Sequence, residues 1–389
     1  MVTMDNSNVS DKLNTGKKCR DIIKVGVFVI IFVLSVTALT YILRTNGDTK
    51  NRFMGFYAEP KNSLDVILIG SSPTYSSCVF PELYGEYGIK AYPLASNVQR
   101  PVAGLYLVKE AQKTQSPDLY MFEMRMYVGI EEGLTNSQVN IREVTDNMKY
   151  SRNRLDAIKV MTGGRAKELG NVSDKLYTFV FDIFKYHSNW RTLIDPNQWA
   201  SVTYTRREPM KGYKITDKVG PAPETVISEV EAVPLDPYQE AALSDLIAYL
   251  KDNGLNALFY VSPYTLAEGD AERFATIKEE VETAGFKYLD MNQYYDEIGI
   301  NFEEDFSDNG VHTNAVGAQK CTRFIGDYLK ENYALPDRRV IDEATGETVG
   351  FNDTDSTWEK AYRDWQDEYE VMVAEIDRRI REKDYYVEE

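Results

Sequence analysis

Leu64-Asp65-Val66-Ile67-Leu68-Ile69-Gly70-Ser71-Ser72-Pro73-Thr74-Tyr75-Ser76-Ser77 is the stretch that decides the fold. Its apolar run is short, ends at Gly70 and gives way to small polar residues. A run of that length, closed by a turn signal, reads as a buried strand followed by a tight turn and a helix. The residue types therefore predict a strand over 64–69 and a helix opening near Ser72.

The same alternation continues outward. Ile89 to Leu94, after Gly88, reads as a second strand; Pro101 to Thr114 as a helix; Leu119 to Met124 as a third strand. Farther on, Pro237 to Leu250 is an amphipathic helix, with Asp236 at its N-cap, Pro237 in its first turn and Asn253-Gly254 as its stop. Ala257 to Val261 and Phe286 to Met291 read as strands, Ala271 to Ala284 and Asn314 to Glu331 as helices. Strands alternating with helices imply a parallel sheet with helices on both faces. The expected class is α/β: a three-layer α/β/α sandwich around a mainly parallel sheet of about five strands, flavodoxin-like in outline. A long insertion over 130–235, with helical stretches at Leu155 to Met161 and Lys175 to Phe184, is expected to cap the sheet or form a lid. Beyond Pro336 the chain is polar, and Trp358 to Arg381 reads as a charged amphipathic helix. It either docks on the domain or pairs with another subunit or envelope partner; a long charged helix usually has a solvated face, which favours docking.

Toward the N-terminus, Val25 to Leu43 reads VGVFVIIFVLSVTALTYIL, without a charge. A bilayer core ~30 Å thick needs roughly 20 helical residues, and in lipid each backbone group must pair within the segment. Lys12, Lys17, Lys18, Arg20 and Lys24 precede the run, whereas Arg44, Lys50 and Arg52 follow it. That bias favours a cytoplasmic N-terminus. A cleaved signal peptide is the alternative, but its apolar core is usually about 7–15 residues, and only Ser35 to Ala38 hints at a cleavage site. A buried core helix is opposed by the basic flank and the terminal position. The expected organisation is a cytoplasmic tail (1–21), a transmembrane helix (22–43), a short stalk (44–60), a domain (61–335) and a charged helical extension (336–389).

The chain has 389 residues, a 43% hydrophobic fraction and a formal net charge of -17. It is a foldable composition whose surface should repel nucleic acid, and no basic stripe appears. Cys19 falls on the expected cytoplasmic side, Cys78 and Cys321 outside, where a disulfide between the last two depends on geometry. No Cys/His spacing suggests a metal site. The two histidines, His187 and His312, must carry any imidazole chemistry.

Two segments carry that chemistry. Ser72 sits just past the carboxyl end of a buried strand, where open α/β sheets place ligands; a serine there either caps the helix or acts beside backbone N–H groups that stabilise an oxyanion. His312 follows Asp308 by four residues, just before a helix; it is either a surface histidine or a general base held by a carboxylate.

Taken together, Gly70-Ser71-Ser72 and Asp308 to His312 resemble the SGNH (GDSL-type) hydrolase and acyltransferase family over residues 61–335. The likeness is closest to its membrane-anchored envelope branch, which includes the teichoic-acid D-alanylation and alginate O-acetylation proteins. The resemblance implies Ser72 as nucleophile, His312 as base, Asp308 as acid, and no cofactor. It implies an esterase or O-acyltransferase acting on acyl esters of a cell-envelope polysaccharide or related polymer, with a multi-spanning membrane acyltransferase as the partner that supplies the acyl group. The chain departs from the pattern in two places. The family's acid stands three residues before the histidine, a position held here by Asn309. Either the turn holds one extra residue or the acid is weakened, with Asp305 as the fallback. The family's oxyanion donors, a glycine after the second strand and an asparagine after the third, have no clear counterpart in Leu94 to Arg100 or Phe122-Glu123-Met124-Arg125. Asn97 or Gln99 could donate instead; Arg125 either faces the pocket or pairs with Glu123 or Glu110. Tyr264 after the fourth strand contacts substrate or packs, and His187 in the insertion lines the cleft or packs among aromatics. These departures sustain a second expectation, a non-catalytic binding or assembly module that keeps the fold.

Overall fold

The computed structural model describes residues 7–44, 47–135, 137–168, 175–225 and 230–387. The chain divides into two units: a smaller one of Met1–Thr45 and Phe181–Thr203, and a larger one of Asn46–Val180 and Tyr204–Glu389.

The smaller unit is built on helix α1 (Ser7–Leu43). Its Lys18–Leu43 portion is long and apolar enough to cross a membrane, as the run of branched apolar residues predicts. From Ile22 through Ser35 its side chains are exposed; from Thr40 to Arg44 they are buried. The cover comes from three short helical pieces, Ile183–Tyr186, Trp190–Ile194 and Pro196–Thr203. A helix end leaves its last carbonyls without intrahelical partners, and here side chains supply them. Asn189 Nδ2 donates to the Leu43 carbonyl (3.0 Å), and Ser201 Oγ to that of Tyr41 (3.1 Å). Arg44 Nε donates to the buried Asp182 carboxylate at 2.6 Å. The stretch Lys175 to Phe184, expected as one helical segment, is split between Tyr177–Val180 of the larger unit and Ile183–Tyr186 of the smaller.

The larger unit opens with α2 (Asp48–Ala58). The sequence suggested a stalk over 44–60; the structure corrects this. Phe53, Phe56 and Tyr57 project from α2 into the main hydrophobic core, and Arg52 is buried with its Nε on the Gly212 carbonyl and its Nη1 on that of Ala95. Then follow β1 (Val66–Gly70), α3 (Ser72–Ser76), α4 (Phe80–Tyr87), β2 (Ala91–Ala95), α5 (Ala103–Ala111) and β3 (Leu119–Glu123). After the insertion come Pro237–Asp252, β4 (Ala257–Val261), the helix Asp270–Thr283, β5 (Lys287–Asp290) and the helix Ala315–Asn332. The five strands run parallel in the order β2-β1-β3-β4-β5, with Val66 opposite Ala91 on one side and Leu119 on the other. Every residue of β1 to β4 is buried, as parallel strands covered by helices on both faces must be. The α/β sandwich expected from the alternation is the fold.

An antiparallel hairpin, Arg339–Ile341 with Thr348–Phe351, was not foreseen. It leads to the helix Ser356–Glu382, which docks through the fully buried Trp358 and Trp365. Cys78 and Cys321 are free thiols buried in the core, where desolvation of the thiolate pushes both well up; the disulfide left open by the sequence does not form.

Candidate active site

Strand β1 lies between β2 and β3, so the chain steps from it to one edge of the sheet at β2 and then crosses back to build the other side from β3. Such a switch point opens a crevice at the carboxyl ends of the strands, and Ser72 stands there as the first residue of α3, with Pro73 in the opening turn.

His312 reaches the same crevice from the loop before Ala315–Asn332. Asn314 caps that helix by accepting from the N–H groups of Val316 and Gly317. Upstream, Phe306 bridges to Thr313 and the Ser307 N–H donates to the His312 carbonyl at 2.8 Å, closing a tight loop. Its tip holds two consecutive left-handed residues, Asn309 (φ 58°) and Gly310 (φ 93°). They take up the extra residue and turn Asp308 back onto the histidine. Asp308 Oδ1 accepts the His312 backbone N–H at 2.7 Å, and Oδ2 lies 2.6 Å from His312 Nδ1. His312 Nε2 in turn lies 2.7 Å from Ser72 Oγ. With the carboxylate holding Nδ1–H, Nε2 is free to accept the serine proton. Asp305 is turned elsewhere: it is buried, accepting from Lys320 Nζ at 2.6 Å and from the Asn301 N–H at 2.7 Å.

The cavity over Ser72 and His312 holds about 450 Å³ and is walled by Tyr75, Asn97, Lys214, Thr216, Lys218 and Tyr386 among others. Tyr75 donates its hydroxyl to Asn97 Oδ1. Asn97 donates from its backbone N and Nδ2 to Glu143 (3.0 and 3.2 Å), and Thr49 Oγ1 donates to the same carboxylate at 3.0 Å. The Arg52 guanidinium lies 3.5 Å over the Tyr75 ring. Burial pushes the Tyr75 phenol up to about 12, against the Arg52 charge and a hydrogen bond with Ser72. Tyr75 thus stays a neutral donor at any physiological pH.

The remaining expected site residues lie elsewhere. Gln99 is buried, with its N–H on Ser71 Oγ at 3.2 Å, and lines a smaller cavity with Glu123 and Tyr127. Arg125 donates to the Val311 carbonyl at 2.5 Å and stacks 3.9 Å over the Tyr264 ring, bracing the loop that carries His312. Glu123 takes the Arg125 backbone N–H (3.2 Å) and Ser262 Oγ (3.1 Å), and burial raises its carboxyl despite the neighbouring guanidinium. Glu110 is held by Tyr57, Lys113 and Asn153. Tyr264 packs, donating its hydroxyl to Asp270 at 2.6 Å. His187 belongs to the smaller unit, exposed, with Nδ1 at 2.9 Å from the Phe184 carbonyl.

Tyr75 escaped the sequence reading although its signal was present: residues three apart on a helix share a face, so the helix that presents Ser72 presents Tyr75 as well. Lys214, Lys218 and Tyr386 carried no such signal, since they arrive from the insertion and the C-terminal tail. The insertion also straps the Asp308 turn. The Gly220 N–H donates to the Phe306 carbonyl at 2.8 Å and its carbonyl accepts from Asn309 N–H at 3.1 Å. A Cβ on Gly220 would meet Asn309 N at 2.5 Å and Asp308 N at 2.8 Å. Gly220→Ala must therefore shift the Asp308 turn. A displacement near 1 Å costs about 10²-fold in rate, which is the expected fall in serine labelling per folded molecule; an unchanged rate would show that the strap does not set the acid.

No family model matches the chain, and no curated protein matches its sequence. By fold it is similar to the crystal structure of a Bacteroides fragilis protein provisionally described as an acylhydrolase, with 12% identity, a TM-score of 0.37, and coverage of 74% of this chain and 99% of that one. Function is therefore read from side-chain geometry.

Proposed function

We propose that the chain is an extracytoplasmic serine esterase or O-acyltransferase of the SGNH type, anchored by α1 with its N-terminus in the cytoplasm and acting on acyl esters of a cell-envelope polysaccharide or related polymer. The observation that carries this reading is the continuous relay from Asp308 Oδ2 through both nitrogens of His312 to Ser72 Oγ, at 2.6 and 2.7 Å, beneath an open cavity.

In this reading Ser72 Oγ attacks the acyl carbonyl as His312 Nε2 takes its proton. Collapse of the tetrahedral adduct breaks the ester bond, and His312 returns the proton to the leaving alcohol. An acyl-Ser72 remains. Water or a sugar hydroxyl then gives its proton to His312, attacks the same carbonyl and releases Ser72. The two outcomes differ only in the acceptor, which water exclusion and pocket shape decide. A multi-spanning membrane acyltransferase is the proposed source of the acyl group. Asn97, backed by Tyr75 and Glu143, is the proposed side-chain donor to the oxyanion in place of the family's missing asparagine.

The test is a chromogenic aryl ester. A burst of phenol release matching the molar amount of protein is expected; hydrolysis no faster than in buffer would favour the alternative, a binding or assembly module that keeps the fold. What supports that alternative is the commitment of the Asn97 amide to Glu143. Tyr75→Phe discriminates further. It removes the donor that fixes Asn97, and one lost hydrogen bond of about 1.4 kcal/mol predicts about a tenfold fall in kcat/KM with the burst retained. An unchanged kcat/KM would remove Tyr75 and Asn97 from the oxyanion site.

A further inference from the structure

We infer that residues 181–203 form an aromatic foot that sits in the outer interfacial layer of the bilayer, beside the end of α1, and binds lipid. This inference rests on the anchor reading of α1.

The depth follows from helix geometry. Lys24, with Asp21, Arg20 and Lys18 before it, marks the inner edge of the apolar run. From Val25 the uncharged helix is bare only to Ser35, a length of about 16 Å at ~1.5 Å per residue. A hydrocarbon core is ~30 Å thick. The membrane must therefore reach past Ser35 into the stretch that 181–203 covers; uncharged helix to Leu43 gives about 28 Å. Whatever packs on Thr40 to Leu43 lies at the level where acyl chains meet headgroups.

The surface of that cover has the character of its place. Phe181, Phe184, Trp190, Ile194 and Trp199 are 59%, 58%, 61%, 85% and 53% exposed, a concentration of large apolar side chains that water disfavours. Tryptophan and its aromatic relatives gather at membrane interfaces. The Trp199 indole N–H is spent internally on the Leu193 carbonyl at 2.8 Å, so its exposed ring offers lipid an apolar face. Lys185 and Arg191 stand exposed in the same segment, placed to reach lipid phosphates by extending their stems. Within 181–203 these two cations balance Asp195 and Asp182, the latter paired with Arg44, so in a chain of net charge -17 this segment carries no net charge to repel an anionic headgroup layer.

Of the chain's four tryptophans, Trp358 and Trp365 are fully buried in the larger unit, so the foot carries its own reporters. The full-length chain is reconstituted in phosphatidylcholine vesicles whose acyl chains carry bromine either near the glycerol or near the methyl end. Part of the tryptophan emission should be quenched, more strongly by the shallow bromine, and that part should be lost in the W190F/W199F double variant. Flotation after an alkaline wash reads the anchor separately. Chains that float but show no quenching, or equal quenching in the double variant, overturn the foot and leave the anchor standing; the exposed aromatics would then be a protein-binding surface. Chains that wash off overturn the anchor reading and the foot with it.

Discussion

Labelling of the intact chain by a fluorophosphonate is expected to disappear in Ser72→Ala and to slow by about 10⁶-fold in His312→Ala. The reagent reports a serine whose hydroxyl is deprotonated as it attacks, and Ser72 Oγ lies 2.7 Å from the imidazole that would take its proton. Removing the hydroxyl removes the bond-forming atom. Removing the imidazole leaves an ordinary alcohol, which hardly reacts near neutral pH. Asp308→Asn should be intermediate, about 10⁴-fold, because an amide at the Oδ2 position can present N–H to His312 Nδ1 and favour the unproductive tautomer. Asp305→Asn should leave the rate nearly unchanged, since Asp305 serves Lys320 and the Asn301 N–H. A folded parent protein that takes no label, or label mapped to Ser71, would remove the acyl-enzyme mechanism.

Trp358→Ala is expected to lower the stability of the larger unit by about 4 kcal/mol. The side chain is fully buried, its ring 5.7 Å from that of Tyr84 and 4.6 Å beneath Lys211 Nζ. Its indole N–H donates to Glu59 Oε2 at 3.1 Å, a carboxylate that also holds Arg207 and Lys211. Truncation opens a cavity and removes one donor from a buried anion. Trp358→Phe separates the two costs: it refills most of the volume and should lose about 1.5–3 kcal/mol, the share of a hydrogen bond to a charged group. Denaturant titration followed by near-ultraviolet circular dichroism measures both. A loss below 1 kcal/mol for the alanine variant would mean that the C-terminal helix is a detachable appendage.

Much of this was written locally. Strand runs such as Val66 to Ile69 and helix signals such as Asp236-Pro237 act over a few residues, and the structure has them within a residue or two, including Asp236 accepting from the Tyr238 N–H. Ser72 and His312 were legible because one opens a helix and the other shortly precedes one, and Asp308 by its spacing from His312. The extra residue beside Asp308 was ambiguous only because left-handed backbone at Asn309 is not declared by its side chain. What could not be read depends on distant partners. The aromatic residues of α2 look like a membrane-proximal spacer until the core that receives Phe53 and Phe56 exists. Arg125 and Tyr264 lie close enough to the sheet's working edge to seem functional, yet they stack on each other and spend their hydrogen bonds on Val311 and Asp270. Gln99 faces inward because its backbone is tied to Ser71, and residues 181–203 read as part of one insertion although they belong with α1.

The placement of β4 next to β3 sets a schedule for biosynthesis. The strands pair through Tyr120 to Glu123 and Ala257 to Tyr260, but residues 124–256 are made between them. At roughly 5–20 residues per second, the nascent chain carries an unsatisfied β3 edge, bearing Tyr120 and Phe122, for on the order of ten seconds. An open apolar edge recruits other strands. The interval in which this protein is most prone to aggregate is therefore the pause between its two half-sheets, and a holding chaperone acting there would protect it more than one acting on the finished chain.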